Sequence, residues 1–139
     1  MTSINLIEGE KYVRTKLHDE YGGNRQSGIA SCPGKNIILL FSSPIGKIHG
    51  YQDHWITSEY FQYTGEGQYG NMDLVRGNKA IREHISKNRE LYLFEKQVDG
   101  RYLLLGKFKY ESHQIINGKD TDNRERKVIV FKLKKLISN

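Results

Sequence analysis

Tyr51 and Tyr63 lie twelve residues apart, in a stretch that also carries a carboxylate, further rings and a glycine-rich turn. Side chains alternate along an extended chain. An extended segment over residues 50–55 therefore places Tyr51, Asp53 and Trp55 on one face. A second, over 59–64, places Phe61 and Tyr63 together, opposite Tyr60 and Gln62. A flat ring inserted between two tyrosines gains about 1–3 kcal/mol per stacked face. A carboxylate at the ring's edge, from Asp53, suits the exocyclic amino group of cytosine, which donates at N4. These are the parts needed to grip an extruded base. His54 and Trp55 follow the acid, and the backbone amides from Thr64 and Gly65 to Gly67 form the turn, where they can line the edge of the ring. Arg25, Arg76 and Lys79, with the polar side chains of Gln26, Gln68 and Asn78, are candidate phosphate contacts. Taken singly, each has a plainer reading as a core tyrosine or a solvated surface group. The combination is what points to a site.

Other chemistries fit less well. Gly65, Gly67 and Gly70 match G-x-G-x-x-G between a strand and a helix, with Glu95 ending the next strand, as in a dinucleotide fingerprint. The preceding strand is polar at alternate positions, however, where a first Rossmann strand is buried on both faces. Glu66 sets a carboxylate where a pyrophosphate would approach, and a motif beginning at residue 65 leaves too little chain for a doubly wound sheet. No Gly-Lys-Ser/Thr follows, so the turn is not a P-loop. Asp122, Glu125 and Lys127 have a spacing found in metal-dependent nucleases, but such spacings are common in a chain with 27% charged residues. The five histidines are scattered without metal-ligand spacing. No Ser or Cys is flanked as a nucleophile would be. The residues describe a binding module rather than an enzyme, with no cofactor or metal expected.

A net charge of +6 favours a polyanionic partner, because Lys and Arg release counterions from phosphates. A length of 139 residues suits one domain, 1–139, with a modest core. The single Cys32 excludes an intramolecular disulfide and a cysteine-rich zinc site, and it suits a reducing compartment. No signal peptide opens the chain, and the apolar run 37–41 is far short of a membrane span. The expectation is a soluble cytoplasmic protein that engages no membrane.

Certain elements must position the candidate residues. Residues 8–21 read as a strand running into a short helix, stopped by Gly22 and Gly23, and 25–33 as a loop. Residues 37–41 are apolar on both faces, the pattern of a buried strand. Asn78 is placed to cap a helix carrying Ala80, Ile81, His84 and Ile85. Residues 91–94 form a strand, Asp99-Gly100 a hairpin turn, and 102–110 the returning strand. Residues 112–126 read as a polar flexible loop, and 127–133 alternate as a half-exposed strand. The count is about six mostly antiparallel strands and two short helices, an α+β curved sheet or barrel.

The same residues resemble a known family. Gly9 to Arg14, Gly-Gly-x-Arg-Gln-x-Gly-Ile from Gly22 to Ile29, Gly50-Tyr51-x-Asp53, Tyr63-Thr64-Gly65-x-Gly67 and Gly77-Asn78-x-Ala80-Ile81 resemble the SRA (SET- and RING-associated) domain of the PUA-like superfamily. The nearest likeness is to bacterial SRA-like domains joined to HNH nucleases in modification-dependent restriction enzymes, which share Tyr-Thr-Gly-Glu-Gly-Gln and the Leu91 to Glu95 strand. The resemblance implies a PUA-like curved β-barrel that binds double-stranded DNA carrying 5-methylcytosine or 5-hydroxymethylcytosine. Tyr51 and Tyr63 would sandwich the flipped base and Asp53 would read its edge, with cleavage supplied by a fused nuclease domain or a separate subunit. Better-known members carry two adjacent acids after the first tyrosine and read the base with the second. Here that second place holds His54, so Asp53 or His54 is the reader. Trp55, Gln68 and Tyr69 are candidate wedges for the vacated stack. The rival readings are an RNA-binding PUA-like module, a nucleotide-binding enzyme, or a nuclease using Glu125 and Lys127.

Overall fold

The computed structural model describes residues 4–43 and 53–137; Tyr51 lies outside the described residues. Six consecutive buried residues, Ile37–Ser42, form β3 once β1 (Lys11–Tyr12) and β2 (Ile29–Cys32) are counted before it. β3 pairs antiparallel with β2 and parallel with β6 (Glu90–Lys96). Two very short or polar strands lie between: β4 (His54–Trp55) and β5 (Tyr60–Thr64). The chain ends in β7 (Tyr102–Lys119) and β8 (Glu125–Lys135). Among the described residues the eight strands form one sheet in the order β2-β3-β6-β7-β8-β5-β4, with β1 pairing onto the start of β7. β2 and β4 end that order, so the sheet is curved but does not close into a barrel.

The both-face apolar pattern of β3 has a direct cause. Its alternate residues feed two separate cores. Ile38 and Leu40 join Leu91, Leu93, Phe61 and Ile81 on one side; Ile37, Leu39 and Phe41 join Tyr92 and Phe94 on the other. Helix α2 (Arg76–Glu83) closes the first core with Ile81, and α1 (Arg14–Tyr21) closes the second with Leu17 and Tyr21. At about 25 cal/mol per Å² of apolar area, this two-sided burial is the main source of stability. No helix among the described residues is long and apolar enough to cross a membrane.

Several expectations need correction. Residues 29–32, read as loop, are β2, recruited to the edge by the β3 ladder although they carry little period of their own. Residues 112–119, read as flexible loop, continue β7 after a register shift between Tyr110 and Ser112. That arm is mostly exposed, so its order comes from the backbone ladder with β8 and not from an apolar face. Asn78 is inside α2, not its cap; the N-cap is Val75, whose side chain makes no capping bond.

Two buried histidines are bonded at both ring nitrogens: His84 ties the end of α2 to β7, and His18 closes α1 on itself. The His84 Nδ1–H donates to Arg89 O at 2.8 Å, while Nε2 accepts from Tyr110 N at 3.0 Å, beside the β7 register shift. The His18 Nδ1–H donates to Gly22 O at 2.8 Å and its Nε2 accepts from Arg14 Nε at 3.0 Å. Each ring must be neutral to accept at Nε2. Burial lowers both pKa values from the ordinary 6.5. The unfolded chain therefore takes up protons that the native state refuses, so stability is full above pH 6.5 and falls as pH drops below it. The urea midpoint is expected to decline between about pH 7 and about pH 5.5, and less steeply in His84→Gln than in the parent chain.

Candidate nucleic-acid interface

β5 alternates as the sequence requires: Phe61 and Tyr63 turn inward, and Tyr63 lies opposite Phe131 of β8. The Tyr63 ring is 2% exposed, and its hydroxyl sits 2.9 Å from Gly28 O and 3.2 Å from Phe41 O. Burial, with the charges of Asp53 and Glu66 nearby, pushes this phenol's pKa well above its usual value. Asp53 is 3% exposed. Its Oδ1 accepts from Thr64 N at 2.7 Å and its Oδ2 from the Ser42 hydroxyl at 2.8 Å. The acid thus ties the end of β3 to the end of β5, one residue from Tyr63. His54 and Trp55 are exposed on β4, where His54 pairs with Gln62. Trp55 lies edge-on to Phe61 and tilted over Phe108, with the Lys135 ammonium 5.9 Å from its ring.

The glycine-rich turn is locked from within. Gly65 N donates to Ile129 O at 2.8 Å and Glu66 N to Asn78 Oδ1 at 2.8 Å. Asn78 Nδ2 donates back to Glu66 O and to Asp73 O, each at 3.0 Å. The Glu66 carboxylate accepts from Gly77 N at 2.9 Å, in the first turn of α2. The amides of Thr64, Gly65 and Glu66 therefore bond inside the protein and do not face a ligand. Close approach explains two glycines: a Cβ at Gly65 would fall 2.8 Å from Asn78 Oδ1, and one at Gly77 would collide with the Glu66 carboxylate and stand 2.9 Å from Ile29 Cβ. A dinucleotide finds no seat here, because Glu66 already occupies the helix start that a pyrophosphate would use.

The outer half of the turn is clamped by the β7–β8 arm. Arg126 Nη1 donates to Gly67 O at 2.7 Å and Gly70 O at 3.2 Å, and Thr121 donates to Gln68 O through both N and Oγ1. Asp120 Oδ2 accepts from Gly70 N. Bonds from the Arg124, Gly70 and Asp122 amides hold the Asp120 carboxyl below the usual carboxylate range. Gln68 and Tyr69 project outward, Tyr69 being 64% exposed. Between this turn, residues 24–28 and the start of α2 lies a cleft of about 730 Å³. Gln26, Gln68, Arg76 and Asn78, far apart in sequence, all line it.

Other candidates lie elsewhere. Arg25 braces α1 through Asp19 at 2.6 Å and Thr15 O at 3.2 Å. Lys79 lines a neighbouring groove on α2. Glu125 pairs with Lys119 at 3.8 Å and Lys127 with Asn117 at 2.7 Å, and no group of His, Cys, Asp or Glu among the described residues is arranged to hold a metal ion. Sequence reasoning missed Arg14, whose guanidinium lies 3.9 Å over the Phe41 ring and donates to Ser27 O at 2.5 Å. It also missed Asp120 and Arg126, whose partners in the glycine-rich turn lie about 50 or more residues away in sequence.

The lock has a measurable weight. Asn78→Ala leaves Glu66 N–H and two carbonyls without their partner, so it is expected to lower stability by about 2–3 kcal/mol in urea unfolding. Asn78→Asp, which keeps the acceptor but turns the donor into a buried carboxylate oxygen facing two carbonyls, should lose at least as much.

Solved structures share this fold. A chain described as the sulfur binding domain and SRA domain of ScoMcrA complexed with phosphorothioated DNA aligns with a TM-score of 0.78 at 22% identity over 97% of this chain. The Type IV phosphorothioation-dependent restriction endonuclease ScoMcrA aligns at 0.79, also with 22% identity over 97%. The present chain spans 41% and 29% of those two chains. The SUVH5 SRA domain in complex with hemimethylated CG DNA aligns at 0.73 with 23% identity, covering 99% of this chain and 94% of that one. At these identities the likeness is one of fold. No curated protein sequence matches the chain. Residues 8–139, however, match the family described as ScoMcrA-like, SRA domain, and they carry the tyrosine, the acid and the glycine lock just described. The chain belongs to the ScoMcrA-like SRA domain family.

Proposed function

We propose that this chain reads duplex DNA by extruding a C5-modified cytosine, 5-methylcytosine or 5-hydroxymethylcytosine, into a pocket bounded by Tyr51 and Tyr63. Asp53 accepts from the base's N4 amino group. The observation that carries this reading is the Asp53 carboxylate, buried and oriented by Thr64 N–H and the Ser42 hydroxyl beside the Tyr63 phenol. An ionised carboxylate has about four acceptor sites, so it can take a base donor while still held by both groups. Anchoring the Tyr63 hydroxyl to two backbone carbonyls fixes the ring, so stacking costs little side-chain entropy. The Tyr63 ring packs within the first core, with Phe61 and Phe131 among its members, so an entering base must displace what lies against it. Gln26, Gln68 and Arg76 face the flanking backbone from the 730 Å³ cleft, while Asn78, its amide engaged with Glu66 and Asp73, braces Thr64 and Gly65 from behind.

Family membership supports a DNA-binding role, as do the fold relatives. The SUVH5 SRA domain is described bound to hemimethylated, fully methylated and fully hydroxymethylated CG DNA. The likeness to a restriction endonuclease supports a sensing role in a restriction system. Cleavage would come from a fused nuclease domain or a partner subunit, and binding needs no cofactor. His54, exposed beside Gln62, is the second candidate for the base edge.

The test is a binding panel of duplexes with plain, 5-methyl, 5-hydroxymethyl and glucosylated cytosine, plus a phosphorothioate duplex. A 2-aminopurine next to the target base reports extrusion. A C5-modified duplex is expected to bind about tenfold or more tightly than the plain one, with a rise in fluorescence. Tyr63→Phe keeps the wall and the preference; Tyr63→Leu loses it; Asp53→Asn weakens it while His54→Ala leaves it. Equal affinity for every duplex, with tighter binding to structured RNA, refutes the reading.

A further inference from the structure

Among the described residues the large cleft holds one cation, Arg76, beside the carboxylates of Glu66 and Asp73. Arg76, which lines its rim, also lines a second groove of about 270 Å³ on the far side of α2, together with Lys79, Lys87 and Arg89. The groove's one carboxylate, Glu83, is held by Arg82 at 3.3 Å. No ion pair or hydrogen bond engages the side chain of Arg76, Lys79, Lys87 or Arg89 among the described residues. Four like charges in one groove repel each other, a cost that an anion bound among them removes.

The backbone that carries the two cations beyond α2 is held in place. Lys87 and Arg89 flank Asn88, whose backbone is left-handed at φ 57, a conformation Asn tolerates better than most residues. Lys87 N bonds Glu83 O and Arg89 N bonds His84 O, while the buried His84 ring fixes Arg89 O and, through Tyr110 N, the neighbouring strand. Arg76 is itself left-handed, at φ 48, which sets it at the junction of the two recesses. This turn is thus a hydrogen-bonded platform that brings Lys87 and Arg89 to the groove lined by Arg76 and Lys79.

We propose that the groove formed by Arg76, Lys79, Lys87 and Arg89 is a second phosphate-binding site, which holds the phosphodiester backbone of the duplex outside the base pocket. It supplies affinity without modification specificity. The proposal rests on the reading of the chain as a duplex binder and extends its footprint past α2. Lys87 and Arg89 lack any pattern in the sequence that would nominate them.

The experiment measures dissociation constants of the chain for plain and 5-methylcytosine duplexes across a salt series. Lys87→Ala/Arg89→Ala is compared with Lys11→Ala/Lys96→Ala, which removes equal charge near the opposite end of the β6 strand. Lys87→Arg/Arg89→Lys tests charge against shape. Each phosphate contact contributes a slope of about 0.9 in log K against log salt, so losing two should flatten the slope by about 1.8 and weaken both duplexes equally, by roughly tenfold or more. The ratio between the two duplexes should not change, and the charge-conserving variant should bind as the parent does. A slope and affinity matching the Lys11→Ala/Lys96→Ala control overturn the proposal. The same plain-duplex data remain decisive if the parent chain has no preference for the modified duplex, so failure of the base-reading role is seen separately.

Discussion

The contact between the turn after β5 and the start of α2 governs the site. Asn78 serves the amide and the carbonyl of Glu66 at once, and Glu66 returns a carboxylate to Gly77 N. In a partly buried place, each of these groups would cost about 1–3 kcal/mol if left without a partner. The geometry closes only because Gly65 and Gly77 carry no Cβ. A motif that reads as a cradle for phosphate is therefore a brace. Its effect on function is indirect: it holds Tyr63 and Thr64 on one side and aims Gln68 and Tyr69 outward on the other.

The cores explain why such a brace can hold still. β3 and β6 lie side by side in parallel and send alternate residues to two sides, each side closed by a helix. β5 joins this framework through β8, so the register that buries Phe61 against Leu133 also fixes Tyr63 opposite Phe131. Asp53 then links β5 to the end of β3. An acid, a phenol and two strand ends thus share one rigid node. Around it the charge is laid out asymmetrically: the large cleft carries Glu66 and Asp73 with Arg76 at its rim, and the groove beyond α2 shares Arg76 and adds Lys79, Lys87 and Arg89 beside Glu83.

Local pattern announced the elements whose cause is local. The both-face apolar run of β3, the Asp99-Gly100 turn with Gly100 at φ 85, and the inward pairing of Phe61 with Tyr63 all follow from residue type and alternation. The arm over 112–119 was illegible for the opposite reason. Mostly exposed on both faces, it has no apolar period, and only the β8 ladder makes it a strand. β2 is four residues long and takes its identity from the strand beside it.

By itself the sequence determined the family and the face of β5 that carries Tyr63, because these depend on identity and on spacing within a few residues. The tertiary structure decided where each polar group points. The Thr64, Gly65 and Glu66 amides turn inward, Asn78 sits within a helix and not at its end, Arg25 braces α1, and Arg14 and Arg126 hold loops that nothing in their neighbourhoods predicts. A hydrogen bond is made with whatever acceptor the fold brings within about 3 Å. For these groups that acceptor lies from six to about sixty residues away, mostly where no periodicity reaches.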